Sequence, residues 1–212
     1  DNTYLTNEEG IEVFRQVFPS SDLPYRTFRW GKGIQIWLLE GRDFRSDNKL
    51  PDGPKKTIWG NTQKAWLKKT LLQSDADFRL VVSPTPLIGP DKPNKIDNHA
   101  NANGFMHEGR AFLDWMIKEQ LHLNTFLITG DRHWQYHSIY NDRVHEFSSG
   151  PTSYFKVHRV PKPKKGVIKQ PYNGPVGGFM SVSYEDMALT FTHFDERGRR
   201  QNTKSFKRRV IH

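Results

Sequence analysis

The densest group of reactive side chains is the run Phe126-Leu-Ile-Thr-Gly-Asp-Arg-His133. A buried apolar strand is expected to end at Gly130, whose freedom allows a tight turn, with Asp131 and His133 directly after it. Side chains at the carboxyl end of a strand project into the crevice where open α/β sheets bind ligands. A carboxylate and an imidazole two residues apart suit a hard metal ion and an ester oxygen. The plainer alternative has Asp131 capping a turn. Arg42 and Arg45, in Glu40-Gly-Arg-Asp-Phe-Arg45, end a second apolar strand. There a guanidinium suits a bidentate grip on an oxyanion, or Arg42 pairs with Glu40 or Asp43 as scaffold. Asp97-Asn-His-Ala offers Asn98 and His99 from a loop. Alternation puts His137 on the same strand face as His133, where it supports a site or simply fills a half-buried position.

These residues need elements to hold them. Apolar Ile11, Phe14, Val17 and Phe18 at helical spacing predict a helix over 8–18, ended by Pro19. Residues 26–30 alternate, Gly31-Lys-Gly33 turns the chain, and Ile34 to Leu39 forms a mostly apolar strand, giving a hairpin. After a surface loop over 46–57, Asn61 is expected to cap a helix over 62–73. A strand at 78–82 stops at Pro84 and Pro86. The Pro- and Asn-rich stretch 89–104 reads as a long loop of the functional kind, and a helix over 107–120 follows. Next come a strand over 124–128 and two strands, 135–140 and 143–147, joined by Asn141-Asp142. Residues 150–177 read as an irregular, basic, Pro- and Gly-rich excursion. Strands at 179–184, 188–194 and 203–210 close the chain. The expected fold is α/β, with a mixed sheet and closing antiparallel strands.

Composition bounds the possibilities. The 212 residues, 35% hydrophobic with six Trp and fourteen Phe, suffice for one domain with a packed core. No apolar run approaches the roughly 20 residues of a membrane helix. The absence of Cys removes disulfides, thiolate metal sites and a cysteine nucleophile. No targeting segment is visible at Asp1, as expected of a mature or truncated chain. No Walker loop, nucleophile elbow, His-Glu-x-x-His or EF-hand pattern occurs. The net charge of +9 gathers at Lys162, Lys164, Lys165 and Lys169 and again at Lys204, Lys207, Arg208 and Arg209. Both clusters are expected to be solvated surface peripheral to any site.

Four segments together resemble a known family. They are Arg26-Thr-Phe-Arg-Trp-Gly31 leading to Glu40-Gly-Arg-Asp-Phe-Arg45, then Gly60-Asn-Thr-Gln63 with Trp66-Leu67, then Leu127-Ile-Thr-Gly-Asp-Arg-His133, and finally Glu146-Phe-Ser-Ser-Gly150. Their order and content are similar to those of the alkaline phosphatase D, or PhoD-like, metallophosphoesterases. The resemblance implies an α/β/β/α metallophosphoesterase-like sandwich that hydrolyses phosphate mono- or diesters at a metal cluster. It implies calcium and iron or other divalent metals, a small phosphoester substrate, and a periplasmic or secreted location. By matching positions, Asp131 is expected to be a metal ligand and His133 a catalytic and metal-contacting residue. Arg42, Arg132, Asn98 and His99 are the expected substrate contacts. The family's Asp-rich strand end and Trp-Asp-Asp-His segment have no counterpart here, and Glu40 stands where an Asp is usual. The whole of 1–212 therefore reads as the carboxyl-terminal portion of such a domain, with an amino-terminal half as its missing partner. Alone it is expected to be inactive, with Ile36, Leu38, Phe126 and Ile128 meeting water. The rival reading is a non-catalytic polyanion- or nucleic-acid-binding module, or a degenerate structural domain.

Overall fold

The structure is a computed structural model that describes residues 7–18, 23–153, 157–158, 161 and 166–208. Helix α1, Asn7–Val17, opens with Glu8 and Glu9, which favour its positive amino end. The hairpin forms as expected from β1 (Arg26–Trp30) and β2 (Ile34–Leu38), with Gly31 at φ 63° in the turn. Helix α2 covers Gly60–Gln73. Asn61 is inside it and is not its cap: the cap position is Trp59, and the Gly60 N–H donates to Thr57 Oγ1 at 2.8 Å. Strand β3 (Phe78–Ser83), helix α3 (Met106–Lys118), β4 (Thr125–Thr129) and the hairpin β5 (Gln135–Tyr140) with β6 (Val144–Ser149) follow. Asn141 and Asp142 carry φ of 50° and 56°, the paired left-handed conformation of a tight hairpin turn.

The excursion over 150–177 is only partly irregular, because Ile168–Gly174 forms β7 on the edge beside β5. Strands β8 (Phe179–Glu185), β9 (Ala188–Phe194) and β10 (Arg200–Lys207) make a separate antiparallel sheet. The last strand thus begins before the expected 203, and Arg209 lies outside the described residues together with Lys162, Lys164 and Lys165.

The large sheet has the order β1-β2-β3-β4-β6-β5-β7, with β2, β3, β4 and β6 parallel. Register and period two sort its side chains between two cores. Trp37, Val81 and Leu127 are neighbours across the ladder and face α2 and α3, meeting Leu67, Leu71, Phe112, Leu113 and Met116. Ile34, Leu80, Phe126 and Phe147 face the small sheet and pack on Leu189 and Phe191. Helices, large sheet and small sheet are three successive layers of the expected sandwich. Phe126 does not meet water, being 1% exposed beneath Phe191 and Phe206. Ile36 and Ile128 are partly buried on the same cluster, and Leu38 is half-buried.

Candidate functional site

The parallel strands β2, β3 and β4 end along one rim. The Gly130 N–H donates to Ser83 O at 3.2 Å, extending the ladder just past β4. The left-handed turn then falls on Asp131 (φ 60°) and not on Gly130. Aspartate tolerates this conformation better than most residues with a Cβ. At Gly130 itself φ is not positive, and an added Cβ would meet the Pro84 carbonyl oxygen only at 3.4 Å, an ordinary contact.

The turn sends Asp131 outward with its side chain 47% exposed, and Arg132 inward with 4%. The Arg132 guanidinium forks between Asp131 Oδ2 at 2.6 Å and the buried Asp91 Oδ2 at 2.5 Å. Asn98 Nδ2 donates to the same Asp91 oxygen at 2.6 Å, and Asn98 Oδ1 accepts the Ala100 N–H at 2.9 Å. His133 is half-buried, its ring stacked 4.3 Å from that of His158, whose N–H donates to the His133 carbonyl at 2.9 Å. Part of the 150–177 excursion therefore reaches this rim.

Arg42 and Arg45 lie beyond β2. Glu40 does not pair with the Arg42 guanidinium; its carboxylate accepts the Arg42 N–H and the Asp43 N–H, at 2.8 and 2.7 Å, and so shapes the turn. The Arg42 side chain is exposed. Arg45 donates from Nε to Gly41 O at 3.2 Å, while its Nη2 is buried without a partner. Burial and the adjacent Arg42 push the Arg45 guanidinium below its ordinary value, and Asp97, Glu40 and Asp131 oppose that. These opposing influences put Arg42, Arg45, Asp97 and Asp131 in one electrostatic neighbourhood.

His99 is placed differently. It is fully buried, with Nε2 at 2.9 Å from Glu108 Oε2 and its ring against Trp59. Gly109 allows this, because a Cβ there would lie 2.7 Å from His99 Cβ. Burial alone would raise the Glu108 carboxyl, but hydrogen bonds from His99, Thr57 and the Ile58 N–H outweigh it and bring its pKa to about 2. Asn98, at 0% exposure, is likewise engaged within the protein. Both residues thus hold the 89–104 loop to α3 and to Arg132.

The profile of the PhoD-like phosphatases matches residues 14–198. The chain belongs to the PhoD-like phosphatase family. No curated protein matches its sequence. Among solved structures, PhoD itself superposes with a TM-score of 0.62 at 14% identity, over 87% of this chain and 42% of that one. The purple acid phosphatase PPD1 of yellow lupin (Lupinus luteus) gives 0.64 at 11% identity, over 94% and 36%. A dimetal phosphatase from Danio rerio gives 0.52 at 14% identity, over 89% and 62%. The PhoD-like chain shares the mixed-sheet α/β fold of these phosphatases and spans 42% of PhoD's length.

Its rim suits an anion better than a cation. Among the described residues, no three His, Asp or Glu side chains converge to hold a metal ion. Asp131, the outward carboxylate, already shares its charge with Arg132. The buried atoms left without partners at this rim include Arg45 Nη2 and Arg132 Nε, which are donors, and Thr85 Oγ1, which can donate or accept. Donors fit phosphate oxygens and repel a cation. A metal centre is therefore not complete in the described part of this PhoD-like chain.

Sequence reasoning passed over Asp91 and Glu108, the carboxylates that hold Arg132 and His99. A buried counter-charge is found by proximity in space, and neither residue stands in a motif. Glu146 appeared only as a motif letter. It proves to be the wholly buried anchor of the loop after β3, accepting the N–H groups of Leu87, Ile88 and Gly89 at 2.7, 3.0 and 2.8 Å.

Proposed function

We propose that this chain is the phosphate-binding carboxyl-terminal portion of a metal-dependent phosphoesterase acting on phosphate mono- or diesters. The observation that supports the reading is a set of arginines at the strand-end rim: Arg45 with a buried, unpartnered Nη2, the exposed Arg42 close enough to act on its charge, and Arg132, whose Nε is unpartnered while its other nitrogens hold Asp91 and Asp131. Arginines held in this way grip a phosphoryl group without first reorganising, and such positioning accounts for much of phosphoryl-transfer catalysis. Asp131 and His133 are the donors this chain would offer to metal ions, calcium and iron or another divalent pair, as in the resemblance. A hard cation takes about six to eight oxygen ligands, so these two residues are too few by themselves, and an amino-terminal half of the domain is the proposed source of further donors. The family resemblance makes a periplasmic or secreted setting the natural one.

The test uses the protein with the rest of its PhoD-like domain present. Asp131→Asn should abolish metal-dependent hydrolysis of p-nitrophenyl phosphate and its bis-ester. Asparagine also accepts the left-handed turn, and a half-exposed ion pair is worth only about 1 kcal/mol or less. Melting should therefore barely move. Full activity in Asp131→Asn, or hydrolysis that persists without any divalent metal, would overturn the assignment.

A further inference from the structure

At the opposite end of β4 from Asp131, a cleft of about 660 Å³ opens between the two sheets. It is lined by Phe126 and Phe206, by His122 and His145, and by Arg143, Lys204, Lys207 and Arg208, against the single carboxylate of Asp142. Phe126 lies near the start of β4 and Asp131 five positions on, beyond its end, a span of up to about 16 Å at the usual strand rise, so this cleft is not the phosphoesterase rim.

Its charges are unbalanced. Arg208 pairs with Asp77 at 2.7 Å, and Asp142 is engaged by Lys169 at 2.6 Å. Among the described residues Arg143, Lys204 and Lys207 have no carboxylate partner. Three cations gathered around one concave surface repel one another and raise the local concentration of anions. The lining between them is aromatic. Phe206 and His145 are half-buried and meet edge to face at 4.7 Å, supported from beneath by the buried Phe126. Lys204 Nζ lies 5.7 Å from the Phe206 ring centre. The volume is in the range of small-ligand clefts, roughly 300–1,000 Å³.

We infer that this cleft is a second ligand site, taking a nucleotide whose phosphate chain is held by Arg143, Lys204 and Lys207 and whose base lies against Phe206 and His145. Cations and rings are both needed for that ligand. Free phosphate would use only the cations, and an apolar molecule only the rings. The closing strand β10 supplies Lys204, Phe206 and Lys207 through its alternation and its end, so the basic cluster there is more than solvated surface. The inference does not depend on the phosphoesterase reading, because no residue is shared between the two sites.

The test is calorimetric titration of the protein at physiological ionic strength, with a chelator present to prevent turnover. The probes are adenosine triphosphate, inorganic tripolyphosphate and adenosine. The triphosphate should bind one to one, tripolyphosphate at least about tenfold more weakly, and adenosine not measurably. Arg143→Gln combined with Lys204→Gln should weaken the triphosphate at least about tenfold with unchanged melting, since both side chains are exposed. Arg42→Gln with Arg45→Gln should leave it unaltered. Several outcomes would overturn the inference: no binding at millimolar triphosphate, tripolyphosphate equal to it, or loss in the Arg42 and Arg45 variant alone. Tighter binding of a single-stranded oligonucleotide, growing with its length, would replace the nucleotide by nucleic acid.

Discussion

Arg132 joins a buried carboxylate to one on the rim. Its guanidinium is buried with Asp91, whose side chain is 1% exposed, and only its second arm reaches outward to Asp131. Removing one member of a buried ion pair leaves the other uncompensated, at a cost of about 3–5 kcal/mol. Arg132→Met should therefore lower the unfolding free energy by that amount in urea titrations. Arg132→Met combined with Asp91→Leu should recover more than half of it, because neither charge is then stranded. A single variant that costs less than about 1 kcal/mol would show that the pair is solvated in solution. Asp131, half-exposed on the other arm, should contribute little to stability.

At the scale of elements, the layer between the two sheets carries an acid sensitivity that hydrophobic patterning alone does not suggest. His137 on β5 and His193 on β9 are buried there, and His137 Nε2 lies 2.8 Å from His145 Nδ1 on β6. Burial, with the charges of His145, His193 and Lys204, lowers the His137 pKa to about 3. Burial lowers that of His193 to about 4, against the opposing hydrogen bond to Ser148 O. A histidine held neutral in the folded state stabilises it above the ordinary pKa of 6.5 and loses that contribution as pH falls. From pH 7 to pH 5 each should cost about 2 kcal/mol, since only the unfolded chain takes up the proton. Glu146 works in the opposite sense, its carboxyl raised by burial against the N–H groups of Gly89, Leu87 and Ile88 and the Tyr136 hydroxyl. His137→Phe should therefore reduce the loss between pH 7 and pH 5 by about 2 kcal/mol, read from urea midpoints at the two pH values. An unchanged loss would mean that His137 is already solvent-accessible. Glu146→Ala should detach the loop after β3 from the sheet. Hydrogen exchange at Leu87, Ile88 and Gly89 then accelerates well before global unfolding.

The whole molecule is unevenly covered. Among the described residues, seven strands make one sheet and three the other, with β1 and β8 each at an edge. Near them a groove of about 550 Å³ is lined by Trp30, Ile36, Leu80, Val182 and Tyr184, with Trp30 68% exposed. Exposed apolar edges promote self-association, and a charge placed on one suppresses it. Trp30→Lys should raise the monodisperse fraction in light scattering with melting nearly unchanged. The 212-residue chain by itself should show no metal-dependent hydrolysis of bis-p-nitrophenyl phosphate above background. Robust turnover by a monodisperse preparation would mean that this chain completes the site without further sequence.

The sequence by itself determined the alternation of strands and helices, the Asn141-Asp142 hairpin and the rim after β4, because periodicity and turn chemistry are local. It also carried the family, since the motif order survives where overall identity to PhoD is 14%. It did not show β7, whose residues Ile168-Lys-Gln-Pro-Tyr-Asn-Gly174 look like loop and become a strand only through pairing with β5. Nor did it show the burial of Asn98 and His99, which depends on how the 89–104 loop folds back so that Asp91, seven residues before Asn98, and Glu108, nine after His99, become their partners. The same holds for the basic cleft, assembled from the start of β4, the β5–β6 turn and β10. Local pattern decides which way a backbone runs. Which polar groups become partners, and which charges stay unpaired, is decided only when distant segments exclude water from the same place.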